Sequence, residues 1–179
     1  NDEYDETLNG VQMSVWHQFP DEVDPYLKEG DPDSGLCWGI QPNTLKEQGS
    51  GDKLIQAYNF RLCLTDNKEN QRPFEKPENY DPAKYELLAR AIRKMDLHID
   101  NYLLFNWGAM PDNKYDVNNR GPLSTDMIGM NYDYPDGDYA TRERIWQEHV
   151  DYTKGLLYFL THDERVPLEL RDQVSRFGW

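Results

Sequence analysis

Polar and apolar positions change period several times along this chain, and each period predicts an element. In GVQMSVWHQF (residues 10–19), Val11, Met13 and Val15 alternate with Gln12, Ser14 and Trp16, the pattern of a half-buried strand. Residues 20–50 are rich in Pro, Gly, Asp and Ser; DPDSG (31–35) reads as a turn cluster and LCWGI (36–40) as a short strand. The clearest strand is KLIQAYNFRLCLTD (53–66), with Leu54, Gln56, Tyr58, Phe60, Leu62 and Leu64 on one face and Ile55, Ala57, Asn59, Arg61 and Cys63 on the other. Asn59 and Arg61 thus share a face, and an Arg in mid-strand either pairs with a carboxylate or meets a ligand.

Helical spacing takes over at Asp81-Pro82, an N-cap followed by proline at the first helical position, with an apolar stripe of Tyr85, Leu88, Ile92 and Met95. Residues 96–107 predict an irregular helical end and then a strand over 102–107. Asp138 caps a long helix to about Thr161 whose buried stripe is Ile145, His149, Tyr152, Leu156 and Phe159. After a break at 163–166, Pro167 restarts a helix with Leu170, Val174 and Phe177 inward, and Gly178 stops it. The sum is an α+β fold, a mainly antiparallel sheet with two or three helices in a single domain.

Between these elements, NNRGPLSTDMIGMNYDYPDGD (118–138) has neither period, yet Leu123, Met127, Ile128, Met130, Tyr132 and Tyr134 are threaded among its Asn, Asp, Gly and Pro. Long connections of this kind in compact domains are functional or disordered. Asn118, Asn119, Ser124, Thr125, Asp126 and Asn131 have the chemistry to hold a hydroxyl-rich ligand, and the apolar residues would pin such a loop to the core. A packed structural loop, its Asn and Asp satisfying their own turns, is the competing expectation.

Composition and charge narrow the classes. With 12 Tyr, 6 Phe and 5 Trp in 179 residues, the chain carries the material of a folded core. A net charge of −14 with no basic stripe argues against nucleic acid and against an anionic membrane surface. The longest apolar run, GLLYFL (155–160), is too short to span a bilayer. Cys37 and Cys63 allow one disulfide or two free thiols, and leave the compartment open. The chain opens on Asn1 and closes on a helical pattern, which suggests a piece of something longer.

Familiar cofactor and catalytic motifs are missing. GSGDKL (49–54) is the nearest approach to GxGxxG, but it lacks the third glycine and runs into a strand. His17, His98, His149 and His162 are too scattered for a metal cluster; His149 reads as a core histidine, and His17 as the better ligand contact. Asp133, Asp136 and Asp138 lack the ligand order of a calcium loop. No catalytic base can be assigned.

Three stretches carry a resemblance: QAYNFRLCLTD (56–66), KYDVNNRGPLSTDMIGMNYDYPDGDYATRERIWQEHVDYTKGLLYFL (114–160) and RVPLELRDQVSRFGW (165–179), with ETLNGVQ (6–12) in support. Together they resemble the middle portion of a bacterial FAD-dependent oxidoreductase family, found in Bacteroidetes and sometimes given a xanthan-lyase-like label. The resemblance implies an inserted cap or substrate domain, with FAD bound by flanking Rossmann sequence of the same chain and none bound by these 179 residues alone. It implies hydride transfer from a small substrate to flavin, with Asn59, Arg61, Asn118, Asn119, Asp126 and Asn131 as substrate-binding residues. An exported parent would suit the sugar context, though localisation is open. A carbohydrate-binding module without catalysis, or an oligomerisation insert, are the alternatives.

Overall fold

The computed structural model describes residues 10–12, 17–42, 46–95, 97 and 103–179. Among these residues, five strands form two antiparallel sheets, with three helices and a 3-10 turn. Strands β1 (Tyr26–Lys28) and β2 (Asp31–Leu36) make a hairpin. Strands β3 (Leu62–Thr65), β4 (Phe105–Met110) and β5 (Lys114–Asn119) make a sheet in the order β3-β5-β4. β4 and β5 are joined by a three-residue loop whose Asp112 and Asn113 both have positive φ (62° and 56°), a conformation that short polar residues tolerate.

Helices close one side of this sheet. A 3-10 turn (Pro82–Tyr85), capped by the Asp81 carboxylate accepting from the Ala83 N–H at 2.9 Å, leads into α1 (Glu86–Lys94). Helix α2 (Tyr139–His162) starts where the Asp138 carboxylate accepts from the Thr141 N–H at 2.8 Å. All five residues of its expected stripe, from Ile145 to Phe159, are buried. Helix α3 (Leu168–Val174) buries Leu170 and Val174. The core joins Tyr85 and Leu88 of the first helical segment to Tyr152, Leu156 and Phe159 of α2 and to Leu64, Phe105 and Val117 of the sheet. Inside it the Tyr85 hydroxyl donates to the Tyr152 carbonyl (2.8 Å) across α2 at Gly155, where a methyl group would overlap that hydroxyl.

Several expectations are corrected. DPDSG is not a turn but lies in β2, an exposed hairpin strand with no buried face to produce alternation; its Pro32 suits a strand with a solvent edge. LCWGI leaves the strand after Leu36. Of residues 53–66 only Leu62–Thr65 pair in the sheet. Upstream the chain is extended, but its odd residues Ile55, Ala57 and Asn59 turn inward while Leu54, Gln56 and Tyr58 are exposed, the reverse of β3. The inward face therefore changes over at Asn59-Phe60. Gly178 does not stop α3; it pairs with Thr65 through two 2.9 Å backbone bonds and lays the tail against β3. Residues 13–16 of the first expected strand lie outside the described residues, and Val11 beside them bonds the turn at Gly49 and Ser50.

Candidate functional site

The loop after β5 has no helix or strand, yet residues 121–125 are buried without a gap. Its groups supply what a neighbouring strand would supply to residues 56–60: the Asn131 amide donates to the Gln56 carbonyl (2.8 Å), and the Met127 N–H reaches the Tyr58 carbonyl (3.5 Å). The extended segment thus borders a loop instead of a ladder, which is why it carries no strand pairing.

At the changeover, four of the six residues expected in a site meet. Asn59 Nδ2 donates to Asn118 Oδ1 (2.7 Å) and to Thr125 Oγ1 (3.2 Å). Asn118 Oδ1 also accepts from the Asn119 N–H (2.9 Å), and the Asn119 amide donates to the Asp126 carboxylate. One connected polar network therefore ties the strand segment, the end of β5 and the loop. Asn131, fully buried, anchors the same loop one step further along. Arg61 is not brought there: it lies on the exposed face of the sheet, where Nε donates to Asp116 Oδ1 at 3.0 Å and a second contact joins the same carboxylate.

Asp126 is the charged member of the network. Burial pushes its carboxyl above the ordinary value of 3.8, while the Asn119 hydrogen bond and the nearby His17 pull the other way. His17, held at a positive φ of 62°, places Nδ1 3.2 Å from the Gly121 carbonyl at the start of the buried run.

Against the network opens a groove of about 350 Å3 between the extended segment, Tyr134 of the loop and α2. Asn59 belongs to both. The walls are aromatic: Tyr58 meets Tyr134 edge to face (5.5 Å between centroids), and Phe60 meets Trp146 likewise (6.0 Å). Tyr58 and Trp146 remain 39% and 48% exposed, which is unusual for rings of this size in a chain with so much core to fill. His149 completes the floor. Periodicity does not show these rings as a group: Tyr58 and Phe60 fall on the Leu54–Leu64 face of their segment, Tyr134 lies in a loop of no period, and the available signal was Trp146, a tryptophan next to the inward Ile145 on a helix face otherwise made of Arg, Glu and Gln.

A family model described as FAD dependent oxidoreductase matches residues 2–178. The chain belongs to this family. No curated protein and no solved structure matches it. Family membership implies FAD, whose pyrophosphate takes free backbone N–H groups at a helix N-terminus or glycine turn, a requirement that two of the described helix starts and the turn at Gly49 do not meet. The Asp81 and Asp138 carboxylates already occupy the starts of the helical segments that precede and form α1 and α2. Gly49 spends its N–H on the Val11 carbonyl (2.7 Å), in a turn that leads to no helix. Cys37, buried, and Cys63, exposed, are both free thiols, and no helix among the described residues is long and apolar enough to cross a membrane.

Proposed function

We propose that this chain is the substrate-side domain of an FAD-dependent oxidoreductase, orienting a small, sugar-like substrate for hydride transfer to a flavin held by other sequence of the same protein. The observation that carries the reading is the network of Asn59, Asn118, Asn119 and Asp126, which fixes an otherwise irregular loop beside an aromatic groove. Binding residues held on a loop by a rigid scaffold are a common way to build a site. The domain's own work is positional: it holds the substrate and excludes water, while the cofactor carries the redox chemistry. The bacterial, xanthan-lyase-like affiliation belongs to the same reading, as does an exported parent.

The test is kinetic, in the intact flavoenzyme. Asn119→Ala and Asp126→Asn are expected to lower kcat/KM by at least about tenfold with the flavin still bound. Unchanged turnover in both would reduce the network to loop scaffolding. Arg61→Ala, on the far face and paired with Asp116, separates the two groups of candidate residues: it is expected to leave turnover near wild type.

A further inference from the structure

The groove beside Asn59 is arranged to accept hydrogen bonds. His149 Nδ1 lies 2.7 Å from the Ile145 carbonyl one turn back in α2, and since a carbonyl only accepts, the proton of the neutral ring sits on Nδ1. Nε2 is then a bare acceptor. It is buried and has no partner among the described residues, a costly condition where nothing satisfies it. Asn59 has the same polarity: its Nδ2 hydrogens go to Asn118 and Thr125, which leaves the amide oxygen as its available atom.

Among the described residues the groove lining contains no Lys, Arg, Asp or Glu to balance a charged ligand. Its aromatic pairs both meet at 84°, so the groove offers a corner and not a parallel slot that would enclose a planar heteroaromatic on both faces. About 350 Å3 is at the small end of ligand sites. The occupant must therefore be neutral, of the order of one ring in size, apolar on one face and rich in hydroxyl donors at its edge.

We propose that this groove is a saccharide subsite that takes one pyranose ring, stacked on Trp146 and Tyr58, with its hydroxyls donating to Asn59 Oδ1 and His149 Nε2. This gives the sugar-like substrate of the function proposed above its place and contacts, and rests on that reading, but binding by the chain itself does not depend on the flavin.

The test is an NMR titration of the isotope-labelled chain with methyl glucopyranoside, methyl mannopyranoside and cellobiose, with adenosine as the planar heteroaromatic. Saccharide addition is expected to shift the Trp146 indole and His149 imidazole signals. Trp146 is half exposed, so Trp146→Ala should retain a dispersed spectrum while weakening binding about tenfold or more. His149→Asn, which can keep a donor to the Ile145 carbonyl but is too short to place its amide oxygen where Nε2 stands, should weaken binding more than His149→Gln, which can reach that position. No saccharide-induced shift, or a response to adenosine alone, would overturn the subsite. If saccharide binds here but the intact protein holds no flavin, the subsite stands and the oxidoreductase reading falls; flavin without saccharide binding removes the subsite alone.

Discussion

Asp126 sets a stability problem that its neighbours only partly solve. Because burial raises its folded-state pKa above the ordinary 3.8, its contribution to stability is fully present below that ordinary value and is lost as pH rises through the raised one. At neutral pH the charged carboxylate opposes folding. Asp126→Asn should therefore melt a few degrees higher than wild type at pH 7 and show a flatter dependence of Tm on pH; a lower Tm at pH 7 would mean that the carboxylate is structural. A residue that costs stability where it stands is what a binding role produces. Gly155 is the opposite case, needed for packing alone. A methyl group there would displace the Tyr85 hydroxyl from the Tyr152 carbonyl, so Gly155→Ala should destabilise by about 2 kcal/mol in denaturant unfolding, despite alanine's better helix propensity.

Among the elements, the β1–β2 hairpin depends most on charge. Asp24 accepts from the Tyr26 and Gly30 N–H groups (both 2.8 Å), and the buried Arg90 of α1 donates to the carbonyls of Asp24 (2.8 Å), Tyr26 (2.6 Å) and Leu27 (3.2 Å). Glu86 ties Arg90 (2.8 Å) to Arg165 (2.8 Å), which in turn holds Asp163 below the ordinary carboxylate range. Arg90→Ala should cost about 3 kcal/mol, and hydrogen exchange should show the hairpin amides losing protection first. Loss spread evenly over the sheet would contradict a strap of this kind. Nothing in the sequence pattern announces it, because Arg90 lies four residues after Glu86 as in any exposed helical pair. The helices were legible for the converse reason: Asp81 and Asp138 cap them locally, and the stripe from Ile145 to Phe159 needs no distant partner to be read. The strand over 53–66 was legible only from Leu62 onward, where it meets β5; before that its partner is an irregular loop, and its inward face is set by that loop.

For the molecule as a whole, the α+β architecture followed from the periods, and the family from strings spread over nearly the full length. The convergence of the candidate residues was only partly legible. Asn59, Asn118, Asn119 and Asp126 converge because the loop folds back on the extended segment, whereas Arg61 separates from Asn59 at the changeover of faces. The aromatic groove could not be read from spacing, since its walls come from the segment around Tyr58, the loop and α2. The central claim, that these residues serve a flavin bound by other sequence of the same protein, is tested most directly by the visible absorption spectrum of the purified product of the intact gene, recorded beside that of the 179-residue chain. Flavin bands in the intact protein and none in the chain are the predicted result. An intact protein that is folded and colourless even after FAD is added would contradict it.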